Sequence, residues 1–311
     1  MLARLERTLP RGEHWRYEPK LDGFRGLLWH TTSGSVQLLS RNLKDLGAAF
    51  PELVSAGQDL PVGTLLDGEI VIADAHGRSN FGALQERLGL ARRRARTAAS
   101  RAPAVLLAFD VLHEAGTDLT DLALRVRRQR LEALLGPSRP YVQLIAQTQS
   151  LAEAEDWLAL VPGIEGVVAK RWDSRYLPGQ REWVKVKKVC TADCVVIGIA
   201  GDRRQPALVL GLRHADGAFH HFGVARFAKH MLTAPHWSSV VGQAGPEQSP
   251  IRSRWQHAAV PAWRPVPPVA VCEVAYTTLD NGRWLRQPGR FIRWRLDRSP
   301  EDCRLEQLAT G

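Results

Sequence analysis

Runs of apolar residues with polar alternation predict several strands in the first 188 residues of the chain. They lie at residues 24–29, 65–72, 105–112 and 166–169. Runs of this length and pattern are typical of strands with at least one buried face. Within residues 65–72 the alternation assigns Asp67 and Glu69 to one face, and it directs Leu66, Ile70 and Ile72 to the core.

Helical patterns separate these strands. One helix opens with Ser150 followed by Glu153, which is the spacing of a capping box. A second is predicted from about Asn80 into the basic run at residues 91–96, and a third over residues 122–135, with Gly136 as its stop. The mixture of strands and helices predicts an α+β domain over residues 1–188.

The pattern changes after Lys188 to short strands and turns, which predict a small β-barrel over residues 189–311. Strands are indicated at residues 194–199, 208–212 and 220–224, with a hairpin turn at residues 215–217. Residues 244–268 are rich in proline and serine and are predicted to form a loop. Near the end, alternation groups Arg293, Arg295 and Asp297 on one face and directs Ile292, Trp294 and Leu296 to the core.

Composition restricts the cellular location that is expected for the protein. No stretch approaches the ~20 apolar residues of a membrane helix, and the first residues lack the apolar core of a signal peptide. Four cysteines are few for 311 residues, so we expect a cytoplasmic protein. Cys190 and Cys194 have no second pair nearby and are interpreted as strand residues.

The net charge of +10 and the pI near 9.9 favour an anionic partner such as nucleic acid. Of 42 basic residues, 35 are arginine and only seven are lysine, at positions 20, 44, 170, 185, 187, 188 and 229. Only lysine can become an amine nucleophile, because arginine stays protonated. Lysines retained in such an arginine-rich chain are therefore candidates for chemistry.

The pattern Lys-x-Asp-Gly-x-Arg occurs at Lys20, Asp22, Gly23 and Arg25. We expect a strand that ends at Lys20, a tight turn at Gly23 and a return strand. Taken alone, this pattern also fits an exposed hairpin.

Two further strands carry paired charges. Asp67 and Glu69 on one face suit Mg²⁺ or a ribose, although most strand carboxylates are simply solvated. Lys185 and Lys187 also share a face, roughly 6 to 7 Å apart. Their like charges call for an anion, and a polyphosphate would provide it while their field depresses the pKa of a third lysine. The alternative is an edge strand kept soluble by lysine.

The order of these motifs resembles the covalent nucleotidyltransferase superfamily of DNA ligases, RNA ligases and mRNA capping enzymes. Lys-x-Asp-Gly-x-Arg is followed by Asp67-Gly68-Glu69, by Phe109-Asp110, by Glu165-Gly166 and by Lys-x-Lys. The run Arg295-Leu296-Asp297-Arg298 is similar to the family's sixth motif, Arg-x-Asp-Lys, with arginine in place of the final lysine. The compact size resembles the ATP-dependent ligase C of bacteria and the ligase domain of ligase D.

The resemblance implies a nucleotidyltransferase (adenylation) domain with antiparallel sheets, followed by an OB-fold β-barrel. It implies that Lys20 attacks the α-phosphate of ATP, that AMP then passes to a 5′-phosphate at a nick in duplex DNA, and that Asp22 serves the later sealing steps. Mg²⁺ or Mn²⁺ would be bound at Glu165 and Glu69. The remaining implied ATP- or DNA-contacting residues are Glu18, Arg25, Arg41, Phe109, Lys185, Lys187, Arg295, Asp297 and Arg298.

More specific roles follow from the same resemblance. Lys185 and Lys187 would contact the α-phosphate, Glu69 would approach the ribose, and Phe109 would stack on adenine. Arg25 would contact the sugar of AMP or the nick, and Arg41 would grip the 5′-phosphate. Arg295, Asp297 and Arg298 would orient the β- and γ-phosphates, with the shape of the charge changed at Arg298.

The resemblance implies an enzyme of DNA repair, recombination or replication that acts in the bacterial cytoplasm near the nucleoid. It would be a monomer, which end-joining or repair proteins could assist. An RNA ligase or a GTP-dependent capping-type enzyme shares the lysine chemistry and is the alternative. A binding module that has lost catalysis is a further one. Six arginines from 283 to 298 suit phosphate contact or a solvated barrel face, and the run at 92–101 suits a mobile surface loop or a DNA contact.

Overall fold

The chain divides into two compact units, Met1–Lys188 and Val189–Gly311. The computed structural model describes residues 1–75, 77–136, 139–161, 163–201, 206–226, 240, 242–251, 260, 262–280 and 282–310. Each unit has its own buried apolar core. The two units are therefore described one at a time.

In the described part of unit 1, ten strands combine with five helices. The strands are β1 (Ala3–Leu5), β2 (Trp15–Leu21), β3 (Phe24–His30), β4 (Val36–Ser40), β5 (Thr64–Ile72), β6 (Ala104–Glu114), β7 (Thr117–Asp118), β8 (Val142–Leu144), β9 (Ile164–Arg171) and β10 (Trp183–Lys187). The helices are α1 (Pro51–Gly57), α2 (Phe81–Arg87), α3 (Arg92–Arg101), α4 (Leu124–Leu135) and α5 (Leu151–Leu160).

Two sheets form unit 1, and both are mainly antiparallel. One has the order β1-β10-β9-β2, and the other has the order β4-β3-β5-β6-β7 with β8 alongside β6. A cluster that includes Phe109 of β6 and Trp183 of β10 joins the two sheets. The second sheet also packs on α1 and α4, where Leu66, Ile70 and Ile72 are buried as alternation predicts.

The strand, turn and return strand predicted around Lys20 are confirmed, but the two strands do not pair with each other, so the alternative of an exposed hairpin is wrong. Strand β2 pairs with β9 and strand β3 pairs with β4 and β5, so the chain passes from one sheet to the other at Asp22 and Gly23. Gly23 is required for space, because a Cβ there would lie 2.3 Å from the carbonyl oxygen of Ile70. Lys20 therefore lies where two sheets diverge.

The helix predicted from Asn80 into the basic run is two helices. Asn80 caps α2 through its side chain, which accepts a hydrogen bond from the Ala83 amide. Leu88 is extended and Gly89 has φ +81°, which ends the helix before α3 begins at Arg92. The predictions for α4 and for the Ser150 cap of α5 are confirmed.

Unit 2 is a closed barrel. Its strands are β11 (Cys190–Ala200), β12 (Ala207–Arg213), β13 (Phe219–Arg226), β14 (Trp263–Pro265), β15 (Val271–Tyr276), β16 (Leu279–Asp280), β17 (Trp284–Leu285) and β18 (Gly289–Trp294). The order β12-β13-β18-β15-β11, together with the pairing of β11 with β12, closes a ring of five strands. Strands β13 and β18 run parallel and the other pairs of the ring are antiparallel, which is the expected OB-type barrel.

Two local predictions for unit 2 are corrected. The predicted loop at residues 244–268 contains β14, and residues 252–259 and 261 fall outside the described part of the chain. Leu296 is 75% exposed and not core, since β18 ends at Trp294. Gly289 and Phe291 are buried in that strand, because a register shift between β15 and β18 alters the simple alternation, and Trp294 packs partly buried against the barrel core as predicted.

The cysteines behave as predicted from their spacing. Cys190 and Cys194 lie in β11, and all four cysteine thiols are free. Among the described residues, no helix has the length and apolar character needed to cross a bilayer.

Gly166 provides a test of how closely β9 and β10 approach. A Cβ at this position would lie 2.0 Å from the carbonyl oxygen of Val186, and backbone cannot yield cheaply. We expect Gly166→Ala to lower the free energy of unfolding by about 2 to 3 kcal/mol in urea denaturation. Gly89→Ala, where φ is positive but nothing lies within 4 Å, should cost only about 1 kcal/mol. Equal losses in the two variants would refute the close-approach argument.

Candidate active site

A cavity of about 690 Å³ lies within unit 1. Its walls come from β2, β3, β5, β6, β9 and β10 and from the turn after β4. Of the site residues predicted from the sequence, those lining it are Glu18, Lys20, Arg25, Arg41, Glu69, Phe109 and Lys185. The two sheets therefore bring together residues that are up to 167 positions apart, since Glu18 and Lys185 share this cavity.

Lys20 forms an ion pair with Glu165. Its Nζ donates to Glu165 Oε2, and the other carboxylate oxygen lies 3.9 Å from Lys187 Nζ. Strand register explains the meeting: Lys20 on β2 and Lys187 on β10 both face Gly166 of the central strand β9. Glu165 precedes this glycine, so a single carboxylate serves lysines from both neighbouring strands.

The charges around this ion pair alter the acidity of neighbouring groups. Burial raises the pKa of Glu69 to about 8, and the carboxylates of Asp67 and Glu165 add to the rise, against the opposing charges of Lys20 and Arg25. The pKa of Lys185 is lowered, first by burial and then by the charges of Lys20 and Lys187. A bound oxyanion would balance the positive charge of the lysines, and a divalent cation would balance the negative charge of the carboxylates.

The carboxylates of Glu69 and Glu165 could hold a metal ion together with a phosphate ligand. Among the described residues, no cluster of three or more His, Cys, Asp or Glu side chains could form a complete protein cage for a metal. Mg²⁺ commonly uses only one or two carboxylates, with substrate phosphates and water completing its shell. The donor set of Glu69 and Glu165 fits that mode of binding.

Arg25 is held by Asp67. Its Nε and Nη2 donate to the two Asp67 carboxylate oxygens at 2.9 and 2.5 Å. The Tyr176 hydroxyl donates to Asp67 at 2.7 Å, and Asp67 is completely buried. The sequence pattern predicts Asp67 as half of an exposed carboxylate pair. In the structure Asp67 is buried and fixes the guanidinium of Arg25 at the cavity wall.

Lys170 is a cavity residue that the motif series did not single out. Its Nζ contacts Glu18 Oε2 at 2.6 Å, and both side chains are almost fully buried. The Gln147 amide donates to Glu18 at 2.9 Å. The Lys170 amine also lies 4.3 Å from the ring centroids of Phe109 and of Trp183. The available signal was the rarity of lysine in this chain.

The turn after β4 supports Arg41 at the cavity. The Lys44 amide donates to the Ser40 hydroxyl at 3.0 Å, and the Leu43 amide donates to the Ser40 carbonyl at 2.8 Å. Leu43 has φ +58° and is 67% exposed. This conformation costs a non-glycine residue about 1 kcal/mol or more, so the turn keeps Arg41 and Lys44 at the cavity wall at some cost in stability.

Asp22 is not among the residues that line the cavity. It lies in the segment that connects β2 to β3, and its carbonyl oxygen accepts a hydrogen bond from the Ser79 hydroxyl. That contact anchors the backbone next to Lys20. The adjacent Gly23 lines the cavity.

In unit 2, Arg295 lies at the centre of a network of acids. Its Nη1 donates to both oxygens of Asp193, at 2.8 and 3.0 Å, and its Nε and Nη2 donate to Asp297 at 2.9 and 2.8 Å. Arg298 Nε lies 3.5 Å from Asp193. The Arg295 guanidinium holds the pKa of Asp297 well below its usual range. Asp193, which sequence reasoning did not identify, connects the first and last residues of this motif.

Lys170→Met tests the buried ion pair. The change removes one partner and leaves Glu18 with an uncompensated buried charge, so we expect a loss of about 3 to 5 kcal/mol in the free energy of unfolding. Urea denaturation of Lys170→Met, Glu18→Gln and the double variant measures the coupling. The double variant should lose less than the sum of the single losses, and strictly additive losses would refute the pairing.

Comparisons with known proteins identify the family of the chain. A family model described as "ATP dependent DNA ligase domain" matches residues 1–187. DNA ligase C1 of Mycolicibacterium smegmatis is 37% identical, with 100% of this chain and 93% of that protein covered. DNA ligase C of Mycobacterium tuberculosis is 34% identical, with 94% and 88% covered. The ligase domain of M. tuberculosis LigD matches with a TM-score of 0.51 and 26% identity, over 97% of both chains. The chain belongs to the ATP-dependent DNA ligase family.

Proposed function

We propose that this DNA ligase seals 3′-hydroxyl/5′-phosphate nicks in duplex DNA, with Lys20 as the nucleophile that carries AMP. The observation that carries the assignment is the convergence on one cavity of Lys20, Lys185 and Glu69, with Glu165 in contact with the Lys20 amine. A nucleophilic amine, phosphate-binding cations and separate carboxylates are the groups that nucleotidyl transfer to lysine requires. Unit 1 is the adenylation domain in this proposal, and unit 2 is the OB-fold domain.

The first step begins at the ion pair of Lys20. Attack on phosphorus needs the lone pair of an unprotonated amine, so Lys20 Nζ must release a proton to solvent water and leave Glu165. The new bond joins Nζ to the α-phosphorus of ATP, and the bond from that phosphorus to the bridging oxygen breaks to release pyrophosphate. Once released from the Lys20 amine, the Glu165 carboxylate would be available to hold a divalent cation, which would supply charge neutralisation at the phosphates.

Lys185 and Lys187 stabilise the charge that develops on the α-phosphate. Strand β10 holds both on one face, with Val184 and Val186 buried on the other. Because burial and neighbouring cations lower the pKa of Lys185, an anion beside it would restore its preference for the charged form. A divalent cation bound by Glu165 and Glu69 would neutralise further phosphate charge.

The nucleoside end of ATP would lie against Phe109 and Glu18. Phe109 has Lys170 and Arg25 over its ring, at 4.3 and 5.6 Å from the centroid. These cations fix the ring, which favours its use as a rigid wall for adenine. Arg25, already bound to Asp67, contributes a fixed positive edge for the sugar of AMP or the nick.

In unit 2 the proposed phosphate-orienting residues are Arg295, Asp297 and Arg298. Arg295 makes its hydrogen bonds to Asp193 and Asp297 at 2.8 to 3.0 Å, and its side chain is only 12% exposed. Arg298 is about half exposed and has a longer contact of 3.5 Å to Asp193. Arg298 is therefore the more available cation of this motif for the β- and γ-phosphates.

The later steps act on DNA. Arg41 would grip the 5′-phosphate at the nick through its bidentate guanidinium, and Asp22 would serve attack by the 3′-hydroxyl. Repair and end joining are the proposed settings, since LigD of Pseudomonas aeruginosa, which is 32% identical over 92% of this chain, carries the name of a multifunctional non-homologous end joining protein. The working unit is proposed to be a cytoplasmic monomer that acts near the nucleoid. Protein partners from these pathways could assist it.

Covalent labelling tests the nucleophile. With α-labelled ATP and Mg²⁺ or Mn²⁺, we expect covalent AMP on the wild-type chain, with the base-stable and acid-labile bond of a phosphoramidate to an amine. Neither Lys20→Ala nor Lys20→Arg should be labelled, because the first lacks a nitrogen and the second keeps the charge without a usable lone pair. GTP should label far less than ATP. Equal labelling of Lys20→Arg would refute the assignment, and stronger labelling by GTP would favour a capping-type enzyme.

Varying the deoxyribose or ribose sugars at the nick tests which nucleic acid is the substrate. We expect sealing of a nick in duplex DNA by the ATP-treated enzyme, and much weaker joining of single-stranded RNA. Duplexes with ribonucleotides on the 3′-hydroxyl side, on the 5′-phosphate side or on neither side would measure preference at the nick. Faster joining of single-stranded RNA than of nicked DNA would overturn the substrate assignment. The comparisons with DNA ligases favour the first outcome.

A further inference from the structure

Helix α3 has a strongly basic surface that the catalytic scheme leaves unused. Its ten residues include Arg92, Arg93, Arg94, Arg96 and Arg101, with no acidic residue. All five arginines are exposed, whereas Ala95 is fully buried. The sequence alone did not decide between a surface loop and a DNA contact for this segment, and the structure makes it an ordered helix that packs on α1.

The arginines of α3 differ in their partners from most arginines of α2 and α4. Arg87 of α2 is paired with Glu52, and Arg127 and Arg130 of α4 are paired with Asp110 and Glu114. Within the described residues, no carboxylate forms an ion pair with any α3 arginine. Five positive charges on ten residues repel one another, so an external anion would stabilise this surface.

A groove of about 590 Å³ lies between α3, α1 and β4, and we name it the α3 groove. Arg92 and Arg96 line it from α3, Gln37, Ser55 and Gln58 line it from β4 and α1, and Asp45 is also part of the lining. Arg92 and Arg96 are four residues apart and share a helix face, separated by about 6 Å along the axis. That spacing lets two guanidinium groups contact neighbouring phosphates of one strand.

The α3 groove adjoins the catalytic cavity. Asp45 lines both spaces, and its carboxylate accepts a hydrogen bond from the Gly47 amide at 2.7 Å. The same turn carries Arg41 and Lys44, which line the cavity. Cationic residues therefore extend from Lys20 through this turn to α3, entirely within unit 1.

We propose that the α3 groove binds the phosphodiester backbone of the duplex that flanks the nick, with Arg92 and Arg96 as phosphate ligands. The inference rests on the proposed function, since it extends the nick site along the DNA. Charge complementarity and continuity with the cavity favour DNA over an acidic protein segment. These contacts carry no base specificity, because phosphates are the same in every sequence.

The test measures binding of a nicked duplex that carries a 3′-dideoxy end, over a range of salt concentrations. Affinities are normalised to the fraction of each protein that accepts AMP on Lys20, so misfolded material is not counted. Arg92→Ala/Arg96→Ala should bind more weakly than wild type, and its slope of log affinity against log salt should be shallower by about 2. Between 50 and 200 mM salt, the advantage of wild type should therefore shrink by roughly 10-fold.

Two further variants sharpen the result. Arg92→Lys/Arg96→Lys keeps the charges and should retain the wild-type salt slope. Arg125→Ala removes an exposed arginine of α4 that lines neither the cavity nor the α3 groove, and it should bind as wild type does. Affinity and slope of Arg92→Ala/Arg96→Ala equal to those of Arg125→Ala would overturn the inference and leave the groove to a protein segment. Absence of AMP on the wild-type chain would instead refute the proposed function.

Discussion

The ion pair between Lys20 and Glu165 depends on the register of three adjacent strands. Lys20 on β2 and Lys187 on β10 flank Gly166 of β9, and Glu165 is the carboxylate that both amines approach. A shift of one residue in either pairing would turn one of these side chains to the opposite face of the sheet. The backbone geometry of this small sheet therefore decides whether a nucleophile, a phosphate-binding lysine and a metal-binding carboxylate can act together.

Around that ion pair, unit 1 combines fixed and exchangeable charges. Arg25 with Asp67, and Lys170 with Glu18, are held in buried pairs at the cavity wall. Lys20, Lys185 and Lys187 remain partly exposed, and Lys20 and Lys185 line a cavity that can admit a polyphosphate. Because the two buried pairs are already in place, few charged groups have to move when substrate binds. In unit 2, Asp193 similarly holds Arg295 in a fixed orientation.

Local sequence pattern predicts much of this structure. Alternation identifies the buried face of β5 and the shared face of Lys185 and Lys187. The change to short strands and turns after Lys188 identifies the barrel. Pairing between distant strands is not encoded in such patterns, so the separation of β2 and β3 into two sheets was missed. The positive φ of Gly89 and the end of β18 before Leu296 are likewise absent from the pattern of apolar and polar residues.

The candidate site was predicted through the spacing of its motifs, and its supporting residues were not. Asp67 was recognised as polar, but its burial against Arg25 and Tyr176 depends on two strands and a loop. Lys170 and Asp193 occupy positions where sequence alone shows only an ordinary charged residue in a strand. Their importance comes from partners more than 100 residues away, namely Glu18 and Arg295.

The buried pair of Glu18 and Lys170 also has an evolutionary consequence. Either change alone leaves a charge in a space that excludes water, whereas a joint change to uncharged residues removes both charges at once. A lineage that alters this position must therefore pass through an unfavourable intermediate or acquire both substitutions nearly together. We expect the two positions to vary as a unit among related sequences, so that a lysine in β9 is inherited with an acid two residues before the nucleophile.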